Sequence, residues 1–573
     1  MFLSPLVLKA ISVDNYIFQF CGVKLFGAMQ VLSNDAIIYF IIFLLFYLSL
    51  LDKTPNIASV IIRIVAIIVL SLYIIDYYVI TNFYTHFVIS DAIKYASYAP
   101  KYIKQIYEKG FIVFFIPLAL VSVTVLIIFT KYKIKNKIIH WFFIVILLFF
   151  LLISSFTSNE NYVHAWMYRN FFDYNLMILS ESKDYSDEFI DNFVFDDKMF
   201  YSSKIPETPN IIILLVESLS SYQSLFFSGI KNWTPNLDEI ASENISYKNF
   251  YANGYTSECA FLSLLTGHYP IYPPPDLSHG RRVPFYGFYD IEDSLPNILN
   301  RQGYSTEYLA NSDVDFLNIG NWAKSIGFTY IEGSEHPYYR KFDKFSFGAA
   351  PDKALFDRVL ERVKFNKNNN YFLFVKTTSS HPPFIDPESK IKSEALVFKY
   401  VDKQIGIFYK KLEKLDFFKK GILVIVGDHH AMVPLKKKEI DSFGPLKVVA
   451  QIPMIVSYGG KKKSVVYEQY QQVDVFNSIK CLISNTQLYS DWLGDVFSYG
   501  KKAAKYILFR RGDSRNLISV FSGDKDFLIK LDGDNTHMRG NHSLDKVKRD
   551  LIVKKINYLR IIQNNKAHLS KKH

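Results

Sequence analysis

Residues 210–218 read NIIILLVES, a short unbroken apolar run that ends on a carboxylate and a hydroxyl. A run of this length with no polar alternation is the pattern of a strand buried on both faces. Two later segments repeat it. Residues 371–375 are apolar and lead to Thr377, Thr378, Ser379, Ser380 and His381; residues 422–426 lead to Gly427, Asp428, His429 and His430. From residue 210 onward, short apolar runs alternate with amphipathic stretches. That alternation predicts an α/β domain on a largely parallel central sheet. In open α/β sheets ligands bind at the carboxyl edge of the strands, where these three runs deliver their polar residues.

Glu217, Asp428 and His429 supply two carboxylates and an imidazole, a donor set suited to Zn²⁺ or Mn²⁺. Residues 254–261, GYTSECAF, add a glycine-led turn that runs into a predicted helix. The hydroxyl of Thr256 or Ser257 falls at the start of that helix, where backbone N–H groups favour an anion such as phosphate. A coordinated metal would activate such a hydroxyl as a nucleophile. The plain alternative is a helix-capping Ser or Thr.

Outward from this domain, the N-terminal part has a different composition. Residues 36–51, 57–80, 111–130 and 138–155 are four apolar runs without a polar face, each close to the ~20 residues that span a bilayer. Residues 16–32 are apolar but broken by Lys24, and read as a weak fifth span or an interfacial helix. Arg63 and Asp76 interrupt the second run and read as interfacial or helix-packing residues. Half of the 573 residues are hydrophobic, with 50 Phe and 40 Tyr, and only 21% are charged, which agrees with a chain partly in lipid.

Lys131, Lys133, Lys135 and Lys137 crowd one short loop, which the positive-inside rule assigns to the cytoplasm. Everything after residue 155 is then expected outside it. The organisation read from the sequence is a transmembrane α-helical bundle with four or five spans over 1–155, a juxtamembrane linker over 156–209, an extracytoplasmic domain over 210–545, and a basic helix and tail over 546–573. The net charge of +12 points to anionic lipid rather than nucleic acid, because no zinc-finger spacing, helix-turn-helix or RNA-binding aromatic box is present. Three cysteines, Cys21, Cys259 and Cys481, offer neither a metal cluster nor a disulfide framework and read as free thiols.

These motifs, in this order, resemble the sulfatase-like branch of the alkaline phosphatase superfamily. Within it they resemble the lipoteichoic acid synthase and phosphoglycerol transferase group. Asn210 through Glu217 and Ser218 is similar to that group's first strand and metal-binding Glu. Thr234-Pro235-Asn236-Leu237-Asp238 with Ala241, Leu295-Pro296-Asn297-Ile298-Leu299 with Gly303-Tyr304, and Gly427-Asp428-His429 resemble the segments that follow. The resemblance implies an N-terminal transmembrane bundle followed by a sulfatase-like α/β domain. It implies one divalent metal (Zn²⁺ or Mn²⁺, with Mg²⁺ as a third option) held by Glu217, Asp428 and His429, with the nucleophile as fourth ligand. It further implies a covalent phospho-enzyme intermediate and a His381 that contacts the phosphate or protonates a leaving group.

For the nucleophile, the Gly-x-Thr turn and Phe261 favour Thr256, while the spacing back from Leu265-Thr266-Gly267 favours Ser257. Thr256 is preferred. Residues 257–261, SECAF, lack the Pro and Arg of the sulfatase C/S-x-P-x-R motif, which disfavours sulfate-ester hydrolysis. Residues 316–319, FLNI, lack the Trp and Arg that contact glycerol phosphate in lipoteichoic acid synthases. The expected function is transfer of a phosphoglycerol or phosphoethanolamine headgroup from a membrane phospholipid to an extracytoplasmic glycan, by a multi-pass protein of the bacterial inner membrane. The alternatives are a membrane-anchored phosphoesterase or sulfatase-like hydrolase, and a non-catalytic envelope protein with a degenerate domain of this type.

Overall fold

The computed structural model describes residues 24–51, 55–83, 85–89, 92, 137–155, 169–179, 185–195 and 199–203. From 207 to 570 it describes all but 272–284, 286–287, 346–347, 461, 485, 499–501, 513, 515 and 540–543. The chain divides into two compact units, Met1–Ser180 with Val433–Lys437, and Glu181–Met432 with Lys438–His573.

In the first unit, helices Lys24–Ser49, Asn56–Phe83 and Lys137–Ser154 correspond to the first, second and fourth apolar runs. The third run, residues 111–130, and the lysines at 131–135 lie outside the described residues. Among the described residues, two helices are long and apolar enough to cross a membrane, over Leu32–Ser49 and Ile57–Tyr77. The candidate fifth span is described only from Lys24, where it is continuous with the first helix rather than separate from it. Tyr39, Phe43, Tyr73, Phe143, Phe150 and Phe171 form the core of this unit. Arg63 is buried and donates to the Ser49 carbonyl at 3.3 Å, which satisfies an orphan acceptor at a helix end. Asp76 accepts from the Phe87 N–H at 2.7 Å and faces His86 Nδ1 at 2.9 Å. Both residues tie the helices of this unit to neighbouring chain.

In the second unit the strands are β1 (Phe200–Ser203), β2 (Asn210–Val216), β3 (Ile245–Tyr251), β4 (Ser305–Ala310), β5 (Tyr330–Glu332), β6 (Tyr371–Lys376), β7 (Gly421–Gly427), β8 (Met454–Tyr458), β9 (Ser464–Gln471), β10 (Thr486–Tyr489), β11 (Ile507–Arg510), β12 (Leu517–Ser522), β13 (Lys525–Lys530) and β14 (His537–Arg539). Eight of them form one sheet in the order β5-β4-β6-β2-β7-β8-β3-β9, and β1 pairs with β10. β2 lies between β6 and β7 and runs parallel to both; only β8 is antiparallel to its neighbours. The reading of a largely parallel sheet thus agrees with the structure. Its three central strands are buried along almost their whole length, since helices cover both faces of such a sheet.

β11 to β14 form a second, antiparallel sheet that the alternation of runs did not announce. The C-terminal helix Lys546–Ser570 buries Ile552 and Ile556 in the core beside that sheet. The basic segment expected over 546–573 is thus a helix that packs one side against this sheet. Its lysines and arginines mask an apolar stripe. Cys259 and Cys481 are buried, and Cys21 lies outside the described residues.

Candidate active site

The carboxyl ends of β2, β6 and β7 lie side by side, so three distant pieces of sequence meet at one rim. β2 continues into Glu217, β7 into Asp428 and His429, and β6 into the turn that carries His381. Ligand atoms of Glu217, Asp428 and His429 all lie within 4.8 Å of one another, and all three residues are buried.

Backbone contacts fix each of them. Ser218 sits in the left-handed region at φ 57°, and its N–H donates to Asp428 Oδ1 at 2.7 Å. The His429 N–H donates to the same oxygen at 2.8 Å. Ser218 Oγ donates to Glu217 Oε1 at 2.8 Å, and Ser380 Oγ donates to the Glu217 carbonyl at 2.6 Å. Gly427 permits the close approach, because a Cβ there would lie 2.4 Å from the Leu219 carbonyl oxygen.

His429 Nδ1 lies 2.9 Å from the His430 carbonyl. A carbonyl only accepts, so Nδ1 carries the proton and the Nε2 lone pair is turned to the carboxylates. That nitrogen is 3.3 Å from Asp428 Oδ2 and 3.7 Å from Glu217 Oε1. Two carboxylates and an imidazole lone pair in this arrangement fit a divalent ion, as their chemistry requires.

The helix Ser257–Thr266 begins at this rim, with Thr256 as its N-cap. Ser257 Oγ donates to Asp428 Oδ2 at 2.7 Å and lies 3.5 Å from both Glu217 Oε2 and His429 Nε2. Thr256 Oγ1 turns away and donates to Cys259 Sγ at 3.3 Å. The hydroxyl among the carboxylates is thus that of Ser257. The structure brings Ser257 to the cluster rather than the preferred Thr256, which as N-cap of the helix turns its side chain to Cys259.

His381 Nδ1 lies 2.6 Å from the Pro382 carbonyl, which places its proton there. Burial lowers the pKa of this imidazole despite the attraction of Glu217, so it is neutral near pH 7.

Sequence reasoning missed Lys376. Its Nζ lies 2.6 Å from Glu217 Oε2 and 2.8 Å from Asp428 Oδ2. Burial pushes against the charged forms. Even so, Lys376, His381 and His429 hold the Glu217 carboxyl well below its ordinary range, and Asp428 and Glu217 lift the Lys376 ammonium above its own. The available signal was a single charged residue closing the apolar run YFLFV beside two strands that end in carboxylates.

The sequence profile of the Sulfatase family matches residues 209–483, the segment that builds this rim. Sheet, site and match together define a sulfatase-like domain, and the relatives it resembles include lipoteichoic acid synthases as well as sulfatases. It is 25% identical over 334 residues to lipoteichoic acid synthase 2 of Bacillus subtilis, covering 54% of this chain and 50% of that protein. It is 22% identical over 300 residues to an ulvan-active sulfatase of Formosa agariphila, covering 45% and 49%. The chain spans about half the length of the curated relatives it matches. A solved alkaline phosphatase superfamily protein from Vibrio parahaemolyticus shares the fold at a TM-score of 0.50 and 21% identity, over 68% of this chain and 95% of that one.

Proposed function

We propose that this chain moves a phosphoglycerol or phosphoethanolamine headgroup from a membrane phospholipid to an extracytoplasmic glycan, with Ser257 carrying it between the two. One observation carries the reading: Ser257 Oγ meets Asp428 Oδ2 at 2.7 Å inside a buried cluster of two carboxylates and an imidazole. Similarity to lipoteichoic acid synthases supports a transferase, and the apolar N-terminal helices support a lipid donor.

Glu217, Asp428 and His429 would hold one divalent ion, Zn²⁺ or Mn²⁺ with Mg²⁺ as a third option, and Ser257 would be its fourth ligand. Such an ion lowers the pKa of a hydroxyl and offsets charge on a phosphoryl group. In the first half-reaction Ser257 Oγ forms a bond to phosphorus and the bond from phosphorus to the diacylglycerol oxygen breaks. The serine proton passes to a base, and the departing oxygen takes up a proton to leave as diacylglycerol. His381, neutral with its proton on Nδ1, can accept at Nε2 and return a proton to the leaving oxygen. In the second half-reaction a glycan hydroxyl oxygen bonds to phosphorus, the Ser257 ester breaks, and Oγ regains a proton. Anchoring in the bilayer would raise the local concentration of the donor.

The test exposes the full chain in vesicles to phosphatidylglycerol or phosphatidylethanolamine without acceptor, followed by mass spectrometry of the peptide containing residues 256–257. A headgroup mass on Ser257 is expected, and its value names the donor. Lipid turnover that releases free headgroup phosphate with no covalent adduct, and that yields no glycan product when an acceptor glycan is then added, would favour hydrolysis instead, the reading that similarity to a sulfatase supports. No turnover of either lipid with Zn²⁺ or Mn²⁺ present would end the transferase reading.

A further inference from the structure

Lys376 closes β6 level with Leu215 on β2, two residues short of Glu217. Its side chain is 7% exposed, and its ammonium lies between Glu217 Oε2 and Asp428 Oδ2. These are the two carboxylate oxygens nearest Ser257 Oγ. Packing does not require an ammonium here, since Met would fill a similar volume among apolar neighbours. Electrostatics does require a cation. Two carboxylates buried within bonding distance of one ammonium repel each other once it is removed.

Formal charges show what the lysine changes. Glu217 and Asp428 contribute two negative charges and Lys376 one positive, so the centre carries −1 without a divalent ion and +1 with one. Without the lysine the same states would carry −2 and 0. The lysine therefore steadies the empty centre and opposes its filling.

We infer that Lys376 is a resident cation of the metal centre, holding the carboxylate pair together before a divalent ion arrives and competing with that ion for Glu217 Oε2 and Asp428 Oδ2. The inference rests on the metal reading of Glu217, Asp428 and His429. It adds that this chain's affinity for its ion is set partly by a side chain that is not a ligand. Lys376 is thus a positioning residue: it acts on the carboxylates.

The experiment compares the full chain with K376M and K376R in detergent, stripped with chelator. Calorimetry follows binding of Mn²⁺, and thermal melting is recorded with and without it. K376M is expected to bind Mn²⁺ at least about tenfold more tightly than wild type, because a cation in direct contact with both carboxylates has been removed. It is also expected to melt below wild type in chelator and to recover that loss when saturated with Mn²⁺. K376R keeps the charge and is expected to stay within about threefold of the wild-type affinity. Should K376M not fold once stripped, K376Q, whose amide can still donate to a carboxylate, carries the same comparison. Equal or weaker Mn²⁺ binding by the neutral variant, with wild type binding normally, overturns this inference alone. Absence of binding by wild type and variants alike overturns the metal reading and this inference with it.

Discussion

At the residue scale the site depends on which hydroxyl reaches Asp428. Ser257 Oγ does so at 2.7 Å, whereas Thr256 Oγ1 is occupied with Cys259. S257A is therefore expected to lower headgroup transfer by at least about a thousandfold, the scale seen when a nucleophile is deleted. T256V is expected to lower it less than about tenfold. A steady-state assay of both variants on the same lipid separates the two residues, and the reverse ranking would return the role to Thr256. The turn itself is tight. A Cβ at Gly254 would lie 2.6 Å from Cys259 Sγ, so G254A must shift the segment that presents Ser257. A loss of about tenfold to a hundredfold in kcat, with little change in melting temperature, is expected from such a displacement.

Glu217, Asp428 and His429 were legible in the sequence because each follows an unbroken apolar strand, and adjacency of parallel strands then brings them together. The choice between Thr256 and Ser257 was not legible. Consecutive residues on a helix point about 100° apart, and the sequence does not fix the first helical residue to within one. Lys376 escaped for another reason: a lysine ending a strand reads as a solvated terminus unless its neighbours across the sheet are known.

At the element scale, the helix Asp352–Phe365 clamps one edge of the large sheet through two ion pairs in which half-buried arginines meet buried carboxylates. Arg358 donates to both oxygens of Glu332 on β5, at 2.9 and 2.6 Å. Arg362 donates to both oxygens of Glu307 on β4, each at 2.7 Å. Replacing Arg358 by Met would leave the buried Glu332 carboxylate without its cation but still hydrogen-bonded by Tyr330, and is expected to cost about 3 kcal/mol at neutral pH, measured by denaturant unfolding. The pH dependence should also change sign. In the wild type, burial raises the Glu332 pKa but Arg358 and Tyr330 more than reverse it, so the folded value lies below the ordinary 4.5. This pair's stabilisation is present above pH 4.5 and is lost as pH falls through the folded value. In R358M, burial dominates and Glu332 favours its neutral form. The variant's deficit should then narrow on acidification toward pH 4.5. A deficit that widens over the same range would contradict this account. The sequence reading singled out neither these edge strands nor the clamp, because Arg358 and Glu332 are apart along the chain and each alone reads as a surface charge.

At the scale of the whole molecule, a lipid donor requires the catalytic domain and the donor's headgroup to be on the same side of the bilayer. The charge pattern gives an orientation. Lys131, Lys133, Lys135 and Lys137 lie between the third and fourth apolar runs, and a cluster of this kind is retained in the cytoplasm. With that orientation the fourth run would lead outward, and the domain from residue 210 is expected to face the periplasm or exterior. Single cysteines test this directly, since the described native thiols, Cys259 and Cys481, are buried and Cys21 can be replaced by Ser. In right-side-out spheroplasts of a C21S strain, an impermeant maleimide is expected to label K367C, at an exposed position of the catalytic domain, before lysis. K133C should be labelled only after lysis. Labelling in the opposite order would place the site in the cytoplasm, away from any envelope glycan, and would leave hydrolysis or transfer to an internal acceptor as the chemistry this cluster performs.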